Sequence, residues 1–193
     1  PTQMNLAIAE KGLLVLDCYA RGTAGHAAHV REDYAIYKAM SAIKWFETFT
    51  FDKISETLND TKMTVTQIEA GNQHNVVPSV CHFVVDIRVN DHYSNQEVLE
   101  IVQKHVDVEV VPRSVRLNTS SIPQEHPIVQ AGERLGRTLY GSPTLSDQSN
   151  LSCPSLKLGP GDSLRSHTAD EYLRVSELNE GIDLYIKLLE EIL

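Results

Sequence analysis

Leu13 to Ala20 (LLVLDCYA) is a short apolar run of strand formers closed by Arg21-Gly22, and it reads as a strand. From Tyr34 to Phe49 the apolar residues Ile36, Ala39, Met40, Ile43 and Phe46 recur at helical spacing. Lys62 to Ala70 (KMTVTQIEA) alternates with period two instead, which predicts a strand. The polar turn Gly71-Asn72-Gln73-His74-Asn75 separates it from a second strand, Val80 to Val89. Asn95 to His105 carries the stripe Val98, Ile101, Val102 of a helix. Val106 to Val111 reads as a strand, with Pro112 marking an edge or bulge. The order β-α-β-β-α-β over roughly Leu13 to Leu117 predicts a ferredoxin-like unit, an antiparallel sheet with two helices on one face.

Beyond it the texture changes. Asn118 to His126 is polar and loop-like, and Pro127 to Tyr140 predicts a helix with Ile128, Ala131, Leu135 and Leu139 in register, stopped by Gly141. The mixed stretch Ser142 to Ser152 leads to a short strand, Ser155 to Leu158, and then to the turn Gly159-Pro160-Gly161-Asp162. A last helix starts near Val175 and is expected to turn Leu178, Ile182, Tyr185, Ile186 and Leu189 inward. With one strand and no visible sheet partner, this region is too thin to stand alone.

The chain has 193 residues, with 17 Lys and Arg against 26 Asp and Glu, and a net charge of -9. That field repels polyanions, so nucleic acid is excluded as a partner. Cys18, Cys81 and Cys153 are far apart and odd in number, which argues against a disulfide scaffold or a cysteine-rich zinc site. Cys18 and Cys81 sit in alternating apolar runs as buried thiols do, and a reducing cytoplasm fits. No run approaches the roughly 18 apolar residues of a spanning helix, so no membrane partner is expected. The start Pro1-Thr2-Gln3-Met4 is no signal peptide and lacks an initiator Met, as though cut from a longer chain.

Several residues have the chemistry of a site. His167 lies in Ser166-His167-Thr168-Ala169-Asp170-Glu171-Tyr172, after a glycine turn at the carboxyl end of a predicted strand. A His flanked by carboxylates there suits a metal ligand oriented through its second nitrogen; the alternative is an exposed loop His. One His is not a metal site, because zinc needs three or four ligands. In Gly25-His26-Ala27-Ala28-His29 both imidazoles would face one metal if the segment were helical, but no carboxylate stands where a zinc protease helix needs one. Otherwise His26 alone donates to a substrate, or simply caps. Asn75 is a turn cap or a substrate contact. In Asp86-Ile87-Arg88, Arg88 suits a bidentate clamp on a carboxylate, or else an edge-strand or surface ion pair. Ser166, His167 and Asp170 do not make a serine-hydrolase triad, since no nucleophile elbow or oxyanion turn accompanies them.

Taken in order, the pieces resemble one family, the co-catalytic metallopeptidases that include acetylornithine deacetylase and succinyl-diaminopimelate desuccinylase. Pro1-Thr2 resembles the end of a Glu-Pro-Thr motif, followed by a strand and Lys11-Gly12. Gly22 to His26 (GTAGH) running into Ala35 to Met40 resembles the start of the inserted lid. Gly71 to Pro78 is similar to the Gly-x-x-x-Asn-Val-Ile-Pro turn, with Val77 for Ile. Asp86-Ile87-Arg88, Ser146-Asp147 and the loop from Gly159 to Tyr172 complete the series.

The resemblance implies an α/β catalytic domain of zinc-aminopeptidase type interrupted by an α+β, ferredoxin-like lid that dimerises. The lid would be residues 13–117, and residues 1–12 and 118–193 would be the carboxyl-terminal remnant of the catalytic domain. It implies a metal role for His167, an oxyanion role for His26 across the dimer, and substrate contacts from Asn75, Arg88 and Ser146. The cofactor would be two divalent ions, zinc or cobalt. The family's other ligands and its general-base Glu would lie upstream of Pro1, so this piece alone is expected to be inactive and to hold zinc poorly. The implied reaction is removal of an N-acyl group from a small amino acid, with N-acetylornithine and arginine biosynthesis favoured by the wording around Gly22 to Met40. Two alternatives stand: a related dipeptidase or N-succinyl amino acid desuccinylase, and a non-catalytic dimerisation or effector-binding module.

Overall fold

The computed structural model describes residues 1–30 and 32–193. In chain order the elements are β1 (Leu6–Glu10), β2 (Gly12–Arg21), β3 (Gly25–His26), α1 (Ala35–Thr48), β4 (Lys62–Ala70), β5 (Val76–Val77) and β6 (Val80–Val89). Then follow α2 (Asn95–His105), β7 (Glu109–Pro112), β8 (Ser120–Ser121), α3 (Pro127–Arg134), β9 (Leu139–Ser142) and α4 (Val175–Glu190). The chain divides into two compact units, Gly12–Asn118 and the pair of segments Pro1–Lys11 and Thr119–Leu193.

The unit Gly12–Asn118 is a four-stranded sheet in the order β4-β6-β2-β7, antiparallel throughout. Strict alternation along β2 sends Leu14, Leu16, Cys18 and Ala20 to one face. From β6, Cys81, Phe83, Val85, Ile87 and Val89 join them. Both helices cover that face: α1 through Ala35, Ala39, Ala42 and Phe46, α2 through Val98, Leu99 and Val102. This is the sheet-and-two-helix layout that the pattern predicts. The helix α2 opens with a capping box, in which Ser94 Oγ accepts from Glu97 N and Glu97 Oε2 accepts from Ser94 N at 2.7 Å. The seventh strand begins three residues later than its pattern suggests, because Val106 closes α2 and is buried in the core. Pro112 does sit on an edge strand. The opposite face of the sheet is polar and carries paired charges.

The second unit differs more from expectation. Its core is a three-stranded sheet, β8-β1-β9, with β1 parallel to β9 and antiparallel to β8. Leu6, Ile8, Ile122 and Val129 form its buried centre. The helix expected over Pro127 to Tyr140 ends at Arg134, because Gly136 takes φ +76 and turns the chain. Leu139 to Ser142 then joins the sheet, so Gly141 is a strand residue and not a helix stop. The strand expected at Ser155 to Leu158 is reduced to a single bridge between Ala7 and Lys157. The helix α4 forms as expected, yet Leu178, Ile182, Tyr185, Ile186 and Leu189 are exposed and only Gly181 and Leu188 are buried.

Candidate functional site

In the segment from Gly22 to Tyr34, Gly22 and Gly25 sit where the chain passes too close to other groups for a side chain. A Cβ on Gly22 would lie 2.2 Å from the Asp33 carbonyl oxygen, and one on Gly25 would lie 2.7 Å from Val30. Asp33 then ties the segment shut, accepting from Thr23 Oγ1 at 2.8 Å and from Lys38 Nζ at 2.5 Å. The Lys38 bond, followed by the Thr23 bond, holds the Asp33 carboxyl below the usual carboxylate range.

Within that frame Gly25–His26 forms a two-residue ribbon with Val76–Val77, and Ala27 N donates to Asn75 O at 2.9 Å. The residues after His26 make a turn, with His26 O accepting from His29 N at 2.8 Å and from Val30 N at 3.2 Å, and the imidazoles of His26 and His29 lie with ring centroids 5.4 Å apart, but among the described residues no third metal-ligating side chain joins them. The ribbon also sets the Asn75 backbone against the residue that follows His26, and both His26 and Asn75 are exposed. The backbone N–H of Ala28 donates to His26 Nδ1 at 3.2 Å. A neutral imidazole that accepts at Nδ1 carries its hydrogen on Nε2, so the ring presents Nε2–H as a donor. An open groove of about 510 Å³ beside this ribbon is lined by residues including Ala24, Glu69, Val76, Pro78 and His82.

Arg88 lies on the polar face of the sheet, on β6, an interior strand, so the edge-strand reading of this residue does not apply. Its guanidinium is engaged side-on by Asp86, through Nε at 2.7 Å and Nη2 at 3.0 Å.

Ser146 and His167 belong to the other unit. Ser146 Oγ donates to Glu10 Oε2 at 2.6 Å, and Ser146 N donates to the same oxygen at 2.9 Å. Glu10 is fully buried and is neutralised by Lys157, whose Nζ lies 2.5 Å from its Oε1 and also donates to Ser142 and Thr144. A buried carboxylate without such partners would be costly; with them it anchors the turn Asp147–Asn150. Sequence reading missed Glu10 and Lys157, although an acid ending the apolar run Leu6-Ala7-Ile8-Ala9 was a visible signal.

His167 is exposed and has φ 61, in the left-handed region that non-glycine residues seldom occupy. Its backbone N–H donates to Glu171 Oε2 at 2.9 Å. The loop is braced by Arg165, which pairs with Glu177 at the start of α4. Hydrogen bonds from Arg165 first, and then from the Arg174 backbone, hold Glu177 down at about 2. Among the described residues no group of three or more His, Cys, Asp or Glu side chains is placed to hold a metal ion. His167 is thus one candidate ligand, and these residues alone do not compose a metal centre.

Comparison with known proteins gives the family of the chain. Residues 8–114 match the model of the M20 peptidase dimerisation domain. Over 200 residues the chain is 23% identical to a [LysW]-lysine/[LysW]-ornithine hydrolase of Sulfurisphaera tokodaii, covering 98% of this chain and 56% of that protein. Succinyl-diaminopimelate desuccinylase 2 of a Ruegeria species is 22% identical, with coverage of 96% and 51%. Acetylornithine deacetylase of Myxococcus xanthus is 23% identical, with coverage of 92% and 52%. Among solved structures, aminopeptidase PepT from Bacillus cereus superposes with a TM-score of 0.73 at 20% identity, covering all of this chain and 55% of that one. The chain spans about half the length of the curated relatives it matches. With the family model extending over more than half of its residues, the chain belongs to the M20 peptidase dimerisation-domain family.

Proposed function

We propose that this chain is the lid, with the adjoining part of the catalytic domain, of a metal-dependent amidohydrolase that removes an acyl group from the amino group of a small amino acid. The observation that carries the reading is the ribbon of His26 and Asn75. The backbones of two exposed polar residues, distant in the sequence, are tied together by this ribbon, and the Ala28 N–H sets the tautomer that makes His26 Nε2–H a donor. Such a donor suits the oxyanion that forms when an amide carbonyl is attacked. The names of three relatives share a chemistry, an acyl group or carrier released from ornithine, lysine or diaminopimelate, which supports an acylated diamino acid as substrate. N-acetylornithine, in arginine biosynthesis, is the substrate we favour.

In this reading His26 acts in the site of the partner protomer, and Asn75 and Arg88 bind the polar groups of the substrate. Ser146 borders the substrate from the catalytic side. Because its hydroxyl hydrogen is given to Glu10, it contributes by accepting or by shaping the turn and not as a donor. His167 would be one ligand of a two-metal centre, zinc or cobalt, whose other ligands are supplied by polypeptide outside residues 1–193. Bound metal would supply an activated water and polarise the acyl carbonyl.

The second copy fits against the β4 edge of the lid. That strand is nine residues long with no proline, and the neighbouring α1 leaves Tyr37 62% and Met40 57% exposed. The other edge, β7, is four residues long and ends in Pro112, features that blunt pairing. No helix is long and apolar enough to cross a membrane among the described residues. The proposed setting is the cytoplasm, which the free thiols of Cys18, Cys81 and Cys153 suit.

The test is a hydrolysis panel of N-acetylornithine, N-succinyl-diaminopimelate and dipeptides with the full-length protein, with and without chelator. Chelator-sensitive release of the amino acid from one N-acylated diamino acid is expected. Hydrolysis of dipeptides alone would overturn the substrate assignment, and no hydrolysis at all would leave the dimerisation or effector module as the better reading.

A further inference from the structure

We infer that Arg88, Asp86 and Lys62 form a carboxylate-recognition corner on the polar face of the lid sheet, in which Asp86 is a positioning residue and Lys62 a second cationic contact. The inference rests on the reading of Arg88 as a substrate clamp and deepens it. A guanidinium carries five N–H donors in a fixed planar fork. Asp86 takes the side formed by Nε and Nη2, at 2.7 and 3.0 Å. That leaves the end of the fork, between Nη1 and Nη2, for a second carboxylate in the same plane. The arrangement therefore does not compete with a ligand. It fixes a flexible side chain with its other donating edge directed away from Asp86, and 31% of the Arg88 side chain is exposed.

The surroundings favour this residue over the other arginines on the face. Arg113 on Asp17 and Arg21 on Glu109 are held through Nε and Nη2 in the same way, so the pairing itself does not single out Arg88. Arg88 differs in its cross-strand neighbour. The β4–β6 register sets the exposed Lys62 directly opposite Arg88, and directly opposite residues share a face, so a second cation borders the fork. Thr64 stands opposite Asp86 and adds no charge. A small anion with one carboxylate would meet the Arg88 fork in the plane and Lys62 at its flank. A neutral amide of the same shape would meet the same groups without the charge-assisted gain.

Removing Asp86 has two opposed effects. It relieves repulsion between two carboxylates on different edges of one guanidinium, which water screens, and it frees several arginine torsions that the ligand must then order. The second effect is the larger for a pair whose side chains are 31% and 29% exposed, so losing Asp86 is expected to weaken carboxylate binding.

The experiment is an NMR titration of this chain carrying ¹⁵N-arginine, with N-acetylglycine as the probe and its carboxamide as the neutral control. In the unaltered chain the Arg88 Nε–H should be protected from solvent exchange, and N-acetylglycine should move the Arg88 Nη signals while leaving Nε–H in place. The carboxamide should move neither. Asp86→Ala should lose the protected Nε–H and bind N-acetylglycine about fivefold more weakly. Lys62→Gln should keep the Nε–H and bind about threefold more weakly. The isosteric Asp86→Asn, with an unchanged backbone spectrum, covers the case in which the alanine variant does not fold. Displacement of Asp86 by the probe, or equal or tighter binding by the Asp86 variants, overturns the positioning role while leaving Arg88 as a clamp. No carboxylate-dependent response at Arg88 in the unaltered chain overturns the clamp reading itself.

Discussion

Asp17 is the most strongly held carboxylate on the polar face of the lid. Arg113 donates to both of its oxygens, at 2.7 and 3.0 Å, and His82 Nε2 lies 3.0 Å from Oδ1 while its ring stacks on Tyr19. The Arg113 bonds are the main cause, aided by His82 and opposed by burial, and together they bring Asp17 down to about 2. A carboxylate whose folded value lies below its unfolded one stabilises the fold above the unfolded value, and that contribution disappears as pH falls through the folded one. The window is therefore about pH 4 down to about 2. Asp17→Asn should cost about 1 to 2 kcal/mol at neutral pH. The gap between variant and parent should close across that window, as read by urea unfolding at several pH values. A gap that persists unchanged at pH 2 would show that the pairs do not act through the charge of Asp17. Next to it, burial pushes the Cys18 thiol up to about 12, which makes it an inert core group.

At the scale of elements, the two edges of the lid sheet make different offers. The strand β7 is short, closed by proline and flanked by the ion pairs of Glu109 and Arg113. The longer β4 presents an open edge beside the exposed Tyr37 and Met40 of α1. Placing a lysine at Met40 and another at Ile68, itself 56% exposed, should leave the fold intact and shift the proposed dimer to monomer in sedimentation equilibrium. Equal substitutions at Val111 and Leu151 should leave the dimer unchanged. If both pairs behave alike, the β4 edge is not the contact surface.

The same elements explain what could be read in advance. The strands β2, β4 and β6 and the helices α1 and α2 were legible because each sends a regular stripe of apolar residues to one shared core, so periodicity and burial agree. Pro127 to Tyr140 was misread because Leu135 and Leu139 continue a helical spacing by chance across Gly136, whose positive φ ends the helix. The two-residue ribbon of His26 was invisible for a different reason. Its partner is Val76–Val77, and no local pattern reports a pairing of so few residues. Motif order named His26, Asn75, Arg88, Ser146 and His167. The contacts that hold three of them, Asp86 on Arg88, Glu10 on Ser146 and Glu171 on the His167 backbone, emerge only when the chain is folded.

At the scale of the molecule, the two units carry different parts of the proposed chemistry. The lid holds His26, Asn75 and Arg88, while the unit of Pro1–Lys11 and Thr119–Leu193 holds Ser146 and His167. The second unit also shows the apolar stripe of α4, which periodicity assigned to an interior and which is exposed here. In the proposed reading it packs against the rest of the longer enzyme. In the proposed enzyme the imidazoles of positions 26 and 167 serve one site from two protomers.

The most direct measurement mixes two full-length variants, His26→Ala and His167→Ala, after dissociation and reassembly, and compares deacylation with each variant alone. Each variant alone should lose activity by a factor on the order of 10² or more. In a mixed dimer one site carries both defects and the other neither, so random reassembly should restore about a quarter of the parent rate. No recovery on mixing, or normal turnover by either variant alone, would contradict the account.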